Sequence, residues 1–142
     1  MRVTLRDGLL AAVTAVGTVP AVAAAEAWHG QIQCAAIPTL NTKQLIGYFE
    51  MSADGMRLTY SRPVHKADSE EVSGVMELGH GTLTGNAIKL EGGAAATGYS
   101  YTATYQGQTE GDHAVLTGEQ VWTARTLREP FHRDCRITLK RM

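Results

Sequence analysis

The chain has 142 residues, and its 13 Lys and Arg against 14 Asp and Glu leave a formal net charge of −1. That balance argues against a nucleic-acid partner held by bulk charge, and the length fits one domain. With 15 glycines and only 6% aromatic residues, the composition favours short strands and turns over packed helices.

Arg2 and Arg6 give the N-terminus a basic start, Leu9 to Val16 is apolar or small, and Ala21 to Ala25 supplies small residues for cleavage. This is the pattern of a secretory signal peptide over residues 1–25, cut after Ala25 to leave a domain of 26–142. An uncleaved anchor is the competing reading. It is disfavoured because the run is Ala-rich and broken by Pro20, whereas a spanning helix needs about 20 mostly apolar residues. No Arg-Arg pair and no cysteine directly after the apolar run point to a twin-arginine route or a lipid anchor. The expected location is therefore the bacterial periplasm or the exterior, with no membrane span in the domain. Without Arg2, Arg6 and Asp7 that domain carries a net −2.

Eight short runs with period-two alternation follow. Trp28, Gly30, Ile32 and Cys34 share one face of the first. Leu45, Gly47, Phe49 and Met51 are in phase in the second, and Asp54-Gly55 then supplies a hairpin turn into Met56, Leu58 and Tyr60. Pro63 ends that third run. Glu71 to Leu78 gives a fourth, read with Val72, Gly74, Met76 and Leu78 facing the core. Gly79 to Asn86 reads as a turn or bulged corner, Ala87 to Glu91 as a fifth run, and Tyr99, Tyr101, Ala103 and Tyr105 as the inner face of a sixth. Gly107 to Asp112 reads as a polar connection. Leu116, Gly118, Gln120 and Trp122 form the seventh face, and Cys135, Ile137 and Leu139 the eighth. No window shows a convincing helical period.

A flat meander of this kind would expose its first and last strands. Cys34 ends the first run and Cys135 lies in the last, and a small exported domain with an even cysteine count is expected to oxidise. A Cys34–Cys135 disulfide requires their Cα atoms to approach within roughly 7 Å, which brings the edges together. The predicted fold is therefore all-β: a single antiparallel up-and-down eight-stranded barrel, with a β-sandwich as the alternative. It resembles lipocalins and avidins in architecture only. Neither a lipocalin Gly-x-Trp with its later partners nor an avidin biotin pattern is present, so no family residues carry over.

A barrel of eight strands is either filled by side chains or holds one small ligand. Inward glycines, read as Gly30, Gly47, Gly74 and Gly118, would open space beside Trp28, Tyr60, Tyr99, Tyr101, Tyr105 and Trp122; bends in the strands explain them equally well. A buried Gln120 needs partners, from tyrosine hydroxyls or a ligand, and Arg133 is in phase to enter the barrel mouth. The ligand-lining candidates are thus Trp28, Tyr99, Tyr101, Gln120 and Trp122, for a small apolar or aromatic molecule. Among His29, His65, His80, His113 and His132 no pair has zinc spacing, and no nucleophile elbow or phosphate loop occurs. The expectation is a non-catalytic protein without metal or cofactor. The alternative role is an envelope protein-interaction module, such as a hydrolase inhibitor or surface assembly factor, working through its loops at His65 to Glu71, Gly79 to Asn86 and Arg125 to Phe131.

Overall fold

The computed structural model describes residues 25–40, 44–66 and 71–142. The expected signal peptide lies outside them apart from Ala25, as does the middle of the loop expected at His65 to Glu71. Eight strands run β1 (Glu26–Cys34), β2 (Leu45–Asp54), β3 (Arg57–His65), β4 (Val72–Thr84), β5 (Ala87–Ala96), β6 (Tyr99–Glu110), β7 (His113–Ala124) and β8 (Phe131–Arg141). Each pairs antiparallel with the next, and β1 pairs with β8, so the sheet closes into an up-and-down barrel. One 3₁₀ turn at Pro38–Leu40 is the only helical piece among the described residues. No helix there is long and apolar enough to cross a membrane.

Cys34 and Cys135 face each other in the β1–β8 register and are joined by a disulfide, with Cα atoms 4.1 Å apart. The closure expected from the two cysteines is thus what removes the sheet's free edges.

The two ends of the barrel differ. Gly55, Gly85 and Gly111 open two-residue turns at one end with φ of 63°, 64° and 64°. A tight hairpin needs that left-handed backbone, and glycine adopts it without steric cost. The opposite end carries one such turn, at Thr97 and Gly98, and three longer connections, over 35–44, 66–71 and 125–130. We call these the hairpin end and the loop end. The core lies between, with Ile32, Phe49, Leu58, Ile88, Leu116 and Ile137 all essentially sealed from solvent.

One seam interrupts the wall. Pairing of β2 with β3 runs only from Asp54–Arg57 to Glu50–Ser61. Beyond it, among the described residues, Leu45 to Phe49 pair with β1 alone, and β3 continues against β4 with a register shift between Pro63 and His65. Proline has no N–H to offer a neighbouring strand. His65 spans the gap from inside, its Nε2 lying 3.6 Å from where a side chain on Gly47 would begin.

Strand β4 has the opposite phase to the one expected. Val72, Met76 and Leu78 stand outside, between 45% and 61% exposed, and Gly74 is exposed too, whereas Glu77 is completely buried. Sterics decide this register. Gly79 sits opposite Tyr60, and a Cβ there would come 2.1 Å from the tyrosine ring; at Gly81 it would meet the Lys89 carbonyl at 1.8 Å. Only glycine fits inside at 79 and 81, and a one-residue slip would turn every β4 side chain around. The segment 79–86 is therefore mostly strand, with the turn confined to Gly85 and Asn86. Likewise, 107–110 belongs to β6 rather than to a connection.

Candidate functional site

The loop end of the interior holds a polar cluster set on a hydrophobic floor. Neighbouring strands supply it: Arg62 from β3, Glu77 from β4, Tyr101 and Tyr105 from β6, Gln120 and Trp122 from β7, Arg133 from β8. Arg62 and Glu77 are register partners across β3 and β4, so the backbone ladder itself brings the two charges together.

Glu77 is the hub. Its Oε2 accepts hydrogen bonds from the hydroxyls of Tyr60 (2.7 Å) and Tyr105 (2.9 Å). Its Oε1 accepts from Tyr101 (2.7 Å) and from Gln120 Nε2 (3.3 Å), and Arg62 Nε stands 3.3 Å away. Gln120 Nε2 also donates to Tyr105 (2.9 Å), while its Oε1 accepts from Trp122 Nε1 and Arg133 Nε, both at 2.9 Å. Arg133 Nη1 donates to the Ala35 carbonyl at 3.3 Å, and its guanidinium lies 5.0 Å over the Trp122 ring. Trp122 is itself stacked against Tyr101 (4.3 Å) and Tyr99 (5.1 Å).

Burial sets the protonation of this cluster. It pushes the hydroxyls of Tyr60, Tyr101 and Tyr105 far above the ordinary tyrosine range, and the charge of Glu77 pushes the same way. These tyrosines are donors, not tyrosinates. Burial, and next the charge of Arg62, lower Arg133 to about 10, which leaves it cationic at neutral pH.

Of the expected lining residues, Tyr99, Tyr101, Gln120 and Trp122 are brought together here. Trp28 lies at the hairpin end, where the Arg141 guanidinium covers its ring at 5.2 Å. Trp28, Tyr101, Gln120 and Trp122 are all at most 7% exposed, and Tyr99 is half-buried. Arg62 and Glu77 escaped the sequence reading. The usable signal was phase: Arg62 follows Leu58 and Tyr60 at steps of two, and Glu77 precedes Gly79 and Gly81 in the same way.

Two features lie outside the lumen. An open groove of about 1060 Å³ is lined by outward members of the strands, including His80, Glu91, Thr104, Glu119, Asp134 and Arg136. Its charges are mixed, with His80 3.2 Å from Glu91. Among the described residues no three metal-ligating side chains converge. The second feature is apolar: Ile46, Tyr48, Val72, Met76 and Leu78 are exposed on the outer face of β2 and β4, on either side of β3 and its seam.

Compared with known proteins, the chain matches no family model, no curated protein and no solved structure.

Proposed function

We propose that this chain is an exported, non-catalytic interaction module of the bacterial envelope, which holds an extended apolar segment of another envelope protein along the β2–β4 outer face. The observation that carries this reading is the stripe of Ile46, Tyr48, Val72, Met76 and Leu78 beside the interrupted β2–β3 ladder. Exposed apolar residues clustered on one face mark interaction surfaces, and a strand edge whose ladder stops short invites an added strand. A lipid-facing barrel would carry an apolar band right round. Here β5 to β8 present Lys89, Glu91, Thr104, Thr117, Glu119 and Arg136 outward instead.

The test is crosslinking in the envelope of the native host, comparing the wild type with Met76→Asp/Leu78→Asp and with a Thr117→Asp control. A defined crosslinked complex should form with the wild type and the control and be lost in the stripe variant, while tryptophan fluorescence shows all three folded. A complex indifferent to the stripe, or none at all, sinks the reading.

A second reading keeps a small apolar or aromatic molecule at the loop end. The Tyr99–Trp122–Tyr101 stack favours it, together with the half-buried Leu40, Leu45, Val75, Leu127 and Phe131 packed against the core. Native mass spectrometry of exported protein would report such a molecule as added mass. Bare chain mass would remove this second reading.

A further inference from the structure

The buried charges at the loop end do not balance. Arg62 is 1% exposed, Arg133 6% and Glu77 0%, so the described interior holds two guanidinium groups and one carboxylate. Nor is the hydrogen bonding complete. Arg62 Nε and Nη1 are buried and have no hydrogen-bond acceptor among the described residues, although Nε lies at ion-pair distance from Glu77. The carboxylate and the amide carbonyl of the cluster are already engaged: Glu77 receives three hydroxyls and an amide, and the Gln120 carbonyl receives Trp122 and Arg133.

Native interiors seldom leave charged donors unpaired, since each such loss costs roughly 1–3 kcal/mol and more for a charged group. A bridging water would satisfy Nη1 and leave the excess charge in place. A bound anion meets both deficits. A monoanion brings the sum to neutral, whereas a dianion overshoots it. The neighbours suit a weakly hydrated anion as well: Tyr99, Tyr101 and Tyr105 all lie within electrostatic reach of Arg62 and are held neutral.

We propose that the loop end of the barrel interior is a monoanion site, with Arg62 Nη1 as the donor, Arg133 as the second cation, and chloride or a carboxylate as the bound species. The site is independent of the outer surface proposed above. A free inorganic anion and the carboxylate of a larger apolar molecule share this chemistry, and the experiment separates them.

Chloride NMR line width is followed on the wild type and on Arg62→Met, with acetate and then benzoate as competitors. The wild type should show saturable excess broadening that either carboxylate relieves. A charge-assisted bond is worth about tenfold to a hundredfold in affinity, and Arg62→Met should lose that much. Benzoate displacing chloride at far lower concentration than acetate assigns the site to a larger carboxylate ligand; equal potency assigns it to a small free anion. If Arg62→Met does not fold, the wild type alone decides. No excess broadening and no rise in melting temperature up to about 0.15 M chloride or acetate overturns the proposal. Equal broadening in a folded Arg62→Met overturns it too.

Discussion

Replacing Glu77 by Gln tests the physics of the cluster most directly. The amide keeps the shape of the side chain but removes the charge that faces Arg62 at 3.3 Å and that three tyrosine hydroxyls address. It also turns an NH₂ toward groups that are themselves donors. Both partners are fully buried, so solvent cannot compensate. Breaking one side of a buried pair costs about 3–5 kcal/mol, at least a fifth of the roughly 5–15 kcal/mol that holds an ordinary domain together. The melting temperature should fall by roughly 10–20 °C. Urea unfolding followed by tryptophan fluorescence at pH 7 measures this, with Arg62→Met and the double variant completing a cycle. The double variant should lose less than the sum of the singles, because the isolated guanidinium left by Glu77→Gln is then gone. A Glu77→Gln protein within about 1 kcal/mol of the wild type, with no coupling in the cycle, would refute the assignment of Glu77 as the electrostatic centre of the fold.

Alkaline pH should unfold the protein. Tyr60, Tyr101 and Tyr105 have folded values raised above 10, so the unfolded chain gives up their protons first; their contribution is whole below pH 10 and is lost above it. Arg133 works the other way, since its folded value of about 10 lies below the ordinary 12.5, but it is one group against three. Of the five tyrosines, these three should ionise only as tryptophan fluorescence reports unfolding; five ordinary titrations in a folded protein would contradict this. Gly79→Ala places a methyl 2.1 Å from the Tyr60 ring and should cost at least about 1–3 kcal/mol in a urea titration. Stability unchanged by that methyl would contradict the β4 register. Reducing Cys34–Cys135 releases a crosslink spanning 101 residues, worth about 4.7 kcal/mol in the chain-entropy account. Amide exchange should then rise first along β1 and β8, and uniform exchange over the barrel would speak against the disulfide as its clasp.

Alternation and turn residues carried most of the architecture. The faces of β1, β2, β6, β7 and β8 were readable because apolar and polar residues alternate cleanly there, and the cysteines specified closure. β4 was misread because its most apolar residues face outward while a carboxylate faces in. Hydrophobicity is a good guide to burial only where no buried partner redefines the cost, and Arg62 with three tyrosines does so for Glu77. Tyr101, Gln120 and Trp122 could be grouped by their inward phase, and the pairing of β6 with β7 is what sets them at neighbouring heights. Trp28 could not be separated from them, since alternation says which way a side chain points and nothing about its height along the barrel axis. The orphaned Nη1 of Arg62 depends on three-dimensional packing and has no signature in the chain.

Both ends of the folded domain leave from the hairpin side: the Met142 amide donates to the Ala27 carbonyl at 2.9 Å, and Arg141 reaches Glu26 at 3.4 Å. Anything fused at either extremity of residues 26–142 would therefore serve as a pedestal, with the loop face held up and away from it. Immobilised through one extremity, the domain would present that face unobstructed to whatever diffuses past.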